Sequence, residues 1–261
     1  MQSFDYRTPT TTADALAAAA QEDARYIAGG QTLLQSMKLG LIAPSALVDL
    51  AGVPELKGVC RDGNALVIGA GTTHAAVAAS AEVQQAIPAL AALADQIGDR
   101  QVRHRGTLGG SLANNDPAAC YPAAVLGLGA TVHTNRRKIA ADDFFVGLFT
   151  TALEEGELIT AVSFPIPAHA GWQKFKQPAS RFALVGVFVS QGPAGVRVAV
   201  TGAGSGGVFR VNALEQKLAA NWSAAALAGA NVPADELVSD LHGSAAYRAA
   251  LIPELAARAL A

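Results

Sequence analysis

The chain has 261 residues, enough for one elaborate domain or two modest ones, with 51% hydrophobic and 15% charged residues and a formal net charge of −2. Scattered Lys and Arg at that balance give no electrostatic basis for binding nucleic acid, and no apolar run is long enough for membrane insertion. The two cysteines, Cys60 and Cys120, form no C-x-x-C pair. No iron–sulfur cluster or Cys-type zinc site is therefore expected within the chain, and none of the five histidines stands in a ligand spacing. The opening Met1-Gln2-Ser3-Phe4-Asp5-Tyr6 lacks the basic region and apolar core of a signal peptide, which sets the expectation of a cytoplasmic protein.

Thr11 and Asp14 have capping-box spacing, and a helix is predicted over about 12–20. A short strand, Arg25 to Ala28, runs into Gly29-Gly30, and a helix over Leu33 to Leu39 ends at Gly40. Ala46 to Leu50 is the next strand, so residues 1–53 read as a small βαβ lobe. Pro54 opens a second section, predicted to span 54–168. It holds a strand over Ala65–Ala70 and a helix over 73–80. A second helix, Pro88–Ile97, places Leu90, Leu93, Ala94 and Ile97 on one face. Tyr121–Leu128 reads as a buried helix, and Ala130–Thr134 and Leu158–Phe164 as strands. A third section, 169–261, carries strands over Phe182–Ser190 and Val196–Val200. A hairpin turn follows at Gly202–Gly207, then helices at about 212–220, 223–229, 233–241 and 244–258. Trp172 and Phe175 are expected in the core, and His242 in a structural role.

Two glycine pairs carry the chemistry. The first lies in Ala28-Gly29-Gly30-Gln31-Thr32-Leu33, between a strand and a helix, which is the layout of a phosphate-binding turn. The second lies in Thr107-Leu108-Gly109-Gly110-Ser111, with the turn signal Asn115-Asp116-Pro117 just beyond. Neither is G-x-G-x-x-G or a P-loop, so a Rossmann site is not supported. A lone glycine pair is as readily an ordinary tight turn. Two pairs, each flanked by hydroxyls, suggest one pyrophosphate held by converging N–H and O–H donors. Arg103 and Arg105 could steady phosphates or sit on a solvated face.

These stretches resemble the flavin-binding signatures of the molybdenum hydroxylases. The relevant members are the medium, FAD-binding subunits of carbon-monoxide-dehydrogenase type and the corresponding domain of xanthine dehydrogenase. The likeness extends through Val48-Asp49-Leu50, Ile97-Gly98-Asp99-Arg100, Phe164-Pro165-Ile166-Pro167, Lys174-Phe175-Lys176 with Ala179-Ser180-Arg181, and Asp240-Leu241-His242-Gly243-Ser244.

The resemblance implies an α+β architecture: a two-lobed, vanillyl-alcohol-oxidase-like (PCMH-type) FAD-binding fold followed by a carbon-monoxide-dehydrogenase flavoprotein C-terminal α+β domain. FAD would lie between the lobes. Ala28, Gly29, Gly30, Gln31, Thr32 and Leu33 with Thr107, Gly109, Gly110 and Ser111 would hold the pyrophosphate through backbone N–H groups and hydroxyls. Ile97 and Ile159 match positions that line the flavin, and Lys176 matches a lysine near its ring, with Lys174 the close alternative because Pro178 shifts the local register. Gln31 stands where many members carry histidine. Cys120 stands where xanthine dehydrogenase has an aspartate, so Asp116 becomes the candidate for that contact. The implied role is an oxidoreductase subunit without catalytic acid–base residues. It would pass electrons from two [2Fe–2S] clusters on a small subunit to FAD and on to NAD, a quinone, a cytochrome or oxygen. A large subunit would carry the molybdopterin cofactor, and the assembly would be a dimer of heterotrimers. The alternatives are a self-contained FAD oxidase or dehydrogenase, or an FAD-binding assembly module without turnover of its own.

Overall fold

The structure, a computed structural model, describes residues 2–260. The chain opens with β1 (Asp5–Arg7), α1 (Thr12–Ala19), β2 (Ala24–Ile27), α2 (Leu33–Lys38) and β3 (Ala46–Asp49). These form a three-stranded sheet in the order β1-β3-β2, with both pairings parallel. Helices on the connections are what parallel pairing requires. Thr11 caps α1 by accepting from the Asp14 N–H at 3.1 Å.

The second section begins with β4 (Val59–Asp62) and β5 (Ala65–Gly69). It continues through α3 (His74–Ala79), α4 (Ala81–Ala86), α5 (Pro88–Asp95), α6 (Arg100–Arg105), α7 (Leu108–Asn114) and α8 (Tyr121–Gly127). Then come β6 (Thr131–Thr134), β7 (Lys138–Ala140), α9 (Ala141–Phe144), the hairpin β8 (Phe145–Gly147) and β9 (Thr150–Thr151), and β10 (Ile159–Pro165). The sheet order is β4-β5-β10-β6-β7, antiparallel throughout. The second glycine pair does not form a tight turn. Thr107 is an N-cap, its hydroxyl accepting from the Gly110 N–H at 3.1 Å, and both glycines fall in the first turn of α7. Asn115 then takes a left-handed conformation (φ 43°) that ends the helix.

The third section is a four-stranded antiparallel sheet of β11 (His169–Lys176), β12 (Ala183–Gly192), β13 (Gly195–Thr201) and β14 (Phe209–Arg210), with α10 (Asn212–Ala220) and α11 (Ala245–Arg258). The Gly202–Gly207 segment joins β13 to β14 as a hairpin. Residues 224–227 form a single 3-10 turn. The expected helix over 233–241 is absent. Its backbone pairs instead with the hairpin: the Val238 N–H donates to the Ala203 carbonyl at 2.9 Å and the Ser205 N–H to the Glu236 carbonyl at 2.9 Å. Trp172 is buried as expected, but Phe175 is 41% exposed and meets Tyr247 edge-on. His242 lies in a turn where its N–H donates to Asp240.

The largest core gathers around α8, every residue of which is buried. It takes in Leu66, Ile68 and Phe164 from the second sheet and Trp172, Phe188 and Ala199 from the third. A second core, between the third sheet and α10 and α11, is built on alternating valines such as Val185, Val187 and Val189. No helix among the described residues is long and apolar enough to cross a membrane.

Candidate functional site: a glycine-lined cleft

Backbone meets backbone where the first sheet packs on the second section. A Cβ on Gly29 would overlap the Arg105 carbonyl oxygen and lie 2.6 Å from Gly106 Cα; one on Gly109 would lie 2.6 Å from Ala70 Cβ. Only glycine permits these approaches. Both glycines line a cleft of about 840 Å³ whose walls come from the two N-terminal sections and, through Lys174, Ser180, Arg181 and Phe182, from the third. Its lining includes Ala28, Gly29, Gly30, Gln31, Thr32, Leu33, Ile97, Thr107, Gly109, Gly110, Ser111, Asp116 and Ile159, so all but one of the site residues expected from sequence come together there.

The exception is Lys176, which is exposed near the end of β11 and does not line the cleft. Lys174 does. Its Nζ donates to the Gln96 carbonyl at 2.9 Å and stands 3.2 Å from Cys120 Sγ. The register of β11 against β12 shifts between Phe175 and Lys176, and this bulge separates the two lysines structurally. Arg103 and Arg105 also lie outside the lining; Arg103 donates to the Ile97 and Gly98 carbonyls and pairs with Asp95 at 3.5 Å.

The two glycine pairs offer different chemistry. Among the described residues, none accepts a hydrogen bond from the backbone N–H of Gly30, Gln31, Thr32 or Leu33, and the start of α2 has no side-chain cap. Gly30 holds φ +69°, a conformation open to glycine. This segment is an uncommitted cluster of donors at a helix start, suited to an anion. The start of α7 is different. The Leu108 N–H donates to the Thr72 carbonyl at 3.1 Å, Gly109 to the Ala70 carbonyl at 2.8 Å and Ser111 to the Thr107 carbonyl at 3.1 Å, while Gly110 is bound by its cap. The N–H groups of residues 108–111 are therefore already engaged within the chain. What they contribute is the glycine surface at Gly110, where a Cβ would stand 2.9 Å from the Thr107 cap hydroxyl and 3.6 Å from Ala28 Cβ, and the Ser111 side chain.

The rest of the lining is largely neutral. Cys120 is buried, and burial pushes its thiol up, partly opposed by Lys174. His74, 5% exposed, has an imidazole held neutral: burial, then the Arg103 charge, lowers it from 6.5 to about 4. Its Nδ1 has no partner among the described residues, and its ring lies 5.3 Å from that of Tyr121, whose buried hydroxyl is likewise unpartnered. Asp116 Oδ1 accepts from the Ala118 N–H at 2.8 Å, in a turn typical of Asx residues. His74, Lys174 and the aromatic Phe149 are lining residues beyond the glycine signatures. Only the Lys-Phe-Lys stretch signalled any of them in sequence.

The cleft suits a long, partly apolar ligand with an anionic centre, and FAD has that form: two heteroaromatic ring systems joined by a pyrophosphate. Comparison with known proteins agrees. A family model described as the FAD binding domain in molybdopterin dehydrogenase matches residues 2–167. The nicotine 6-hydroxylase medium subunit of Paenarthrobacter nicotinovorans is 37% identical, over 100% of this chain and 97% of its own length. The carbon monoxide dehydrogenase medium chain of Hydrogenophaga pseudoflava is 33% identical over 98% of this chain and 96% of that relative. Among solved structures, quinoline 2-oxidoreductase from Pseudomonas putida 86 superposes with a TM-score of 0.87 at 31% identity, covering 99% of this chain and 96% of that one. With the family model spanning more than half of the sequence and relatives similar over nearly all of it, the chain belongs to the FAD-binding medium subunits of the molybdenum hydroxylases.

Proposed function

We propose that this chain is the electron-transfer subunit of a heteromeric molybdenum hydroxylase. It would receive electrons from [2Fe–2S] clusters on a small partner subunit and deliver them to an external acceptor, in a dimer of heterotrimers whose large subunit carries the molybdopterin cofactor. The names of the relatives, medium chain and medium subunit, imply companions of other sizes. The observation that carries the reading is the pairing of uncommitted N–H donors at Gly30–Leu33 with the glycine surface at Gly110 in one cleft.

In this reading the Gly30, Gln31, Thr32 and Leu33 N–H groups donate to the pyrophosphate, with the Thr32 and Ser111 hydroxyls beside them. Ile97 and Ile159 give apolar contact. Lys174, rather than Lys176, presents the cation, and Asp116, whose Oδ2 has no donor among the described residues, accepts from the nucleotide part. Bound FAD supplies reversible uptake of electrons singly or in pairs. The chain's own task is to bind, orient and shield it, and no catalytic acid–base group is assigned. Sections 1–53, 54–168 and 169–261 are proposed as the two FAD-binding lobes and the C-terminal domain.

The test is to record the flavin spectrum of the purified chain, alone and with its partner subunits, during exposure to hydroxylase substrates. Bleaching only in the assembled complex is expected. Bleaching of the isolated chain would favour a self-contained oxidase, and failure to take up FAD at all would overturn both.

A further inference from the structure

The turn between β8 and β9 is unusual for its sequence. Gly147 pairs with Thr150, leaving Leu148 and Phe149 as a two-residue loop. Phe149 adopts φ 52°, a left-handed conformation that turns normally assign to glycine or asparagine and that a bulky aromatic avoids. The neighbourhood enforces it. Asn115, 2% exposed, donates through Nδ2 to the Gly147 carbonyl at 2.8 Å and the Thr150 carbonyl at 2.9 Å, and accepts from the Phe149 N–H at 3.2 Å. A side chain in an unfavourable conformation, over-determined by buried hydrogen bonds, signals a use for that side chain. Yet Phe149 is 60% exposed, so packing within the chain is not that use. It lines the cleft, as do Asp116, Ala118 and Leu153.

We propose that Phe149 is a preset aromatic platform on which one heteroaromatic ring of FAD stacks. The proposal rests on the FAD reading above. A ring carried on a backbone already fixed before binding loses less conformational freedom when a heterocycle stacks on it, and such stacking contributes substantially per ring.

The experiment separates ring from backbone. Phe149→Gly removes the ring and relieves the left-handed strain together. In the full chain it is expected to melt at or above the wild-type temperature without ligand, yet to bind FAD about tenfold more weakly, read by quenching of flavin fluorescence. Phe149→Trp is expected to keep wild-type affinity. FMN and ADP, titrated separately, show which ring the platform serves: the glycine variant loses affinity for one and not the other. Wild-type FAD affinity in the glycine variant would overturn the proposal, as would equal loss in the tryptophan variant. So would normal FAD binding with failed assembly, which would make the hairpin a subunit contact. A wild-type chain that takes up no FAD would instead remove the functional reading itself, and is distinguishable because no substitution is involved.

Discussion

All four paired glycines line the cleft, and two of them also let backbones touch. Gly29 lets the first sheet touch the Arg105–Gly106 backbone, and Gly109 lets α7 touch Ala70. Gly29→Ala should therefore destabilise the ligand-free chain, by about 2 kcal/mol or more, because backbone on both sides cannot yield as a side-chain tip would; the denaturant midpoint measures it. Gly110→Val should act on binding, removing FAD while the C-terminal section stays folded, and stoichiometric flavin in that variant would show the clamp to be misplaced. The two lysines, by contrast, are divided. Lys174 lies in the cleft and Lys176 outside it. A cation near the flavin favours its reduced, more negative state. Lys174→Met should lower the midpoint potential of the bound flavin by some tens of millivolts, on the order expected for losing one partly screened charge, while Lys176→Met should leave it unchanged. The reverse result in a spectroelectrochemical titration would return the assignment to Lys176.

Between elements, the wall of the cleft near Ile159 is fastened by a buried carboxylate. Glu157, whose side chain is solvent-inaccessible, accepts from Arg137 Nη2 at 3.0 Å, the Glu154 N–H at 2.8 Å and the Thr134 hydroxyl at 2.7 Å, tying the β6–β7 turn to the entry of β10. These bonds, Arg137 first, hold it at about 2 against an ordinary 4.5. A lowered folded-state value means stability fully present above about 4.5 and lost as pH falls towards 2. Chemical-denaturation midpoints taken across that window should fall for the wild type and flatten for Glu157→Gln; parallel curves would refute the assignment. Elements with strong local signals were legible in the sequence: α5 and α8 by their apolar spacing, β12 and β13 by valine-rich runs, and the strand–glycine–helix unit around Gly30. Less legible were elements decided by distant partners. The α7 segment carries two poor helix formers, Gly109 and Gly110, in its first turn, yet the Ala70 and Thr72 carbonyls, from a distant stretch of chain, fix that turn by accepting from Gly109 and Leu108. Residues 233–241 look helical, but the β13–β14 hairpin captures their backbone. The bulge that separates Lys174 from Lys176 depends on pairing with β12, which spacing along β11 does not encode.

At the scale of the molecule, α8 makes the sections interdependent. One side of it packs with α5 and α7, and β12 and β13 cover another, so Trp172, Phe188 and Ala199 share a core with Leu66 and Phe164. Polar ties reinforce the seam. The Ser190 hydroxyl donates to the Gly127 carbonyl at 2.6 Å, the Thr201 hydroxyl to the Ala119 carbonyl at 2.7 Å, and Arg197 grips Asp142 with two bonds of 2.9 and 2.8 Å. Arg197 is itself 9% exposed and also donates to the Leu126 carbonyl at 3.0 Å. The same seam positions the cleft, since Lys174 reaches it from β11 and Trp172 Nε1 donates to Gln96 Oε1 at 3.3 Å, next to Ile97. A fragment ending at residue 168 would expose α8 and leave those carbonyls to water. Because α8 is apolar throughout, solvent contact along that side costs far more than one element's share of a marginally stable fold. The fragment should therefore fail to give a cooperative melt and fail to retain FAD, although it contains both glycine pairs. The full chain should unfold in one transition. A fragment of residues 1–168 that melts cooperatively and binds FAD at wild-type affinity would show instead that the C-terminal section docks onto a lobe already complete without it.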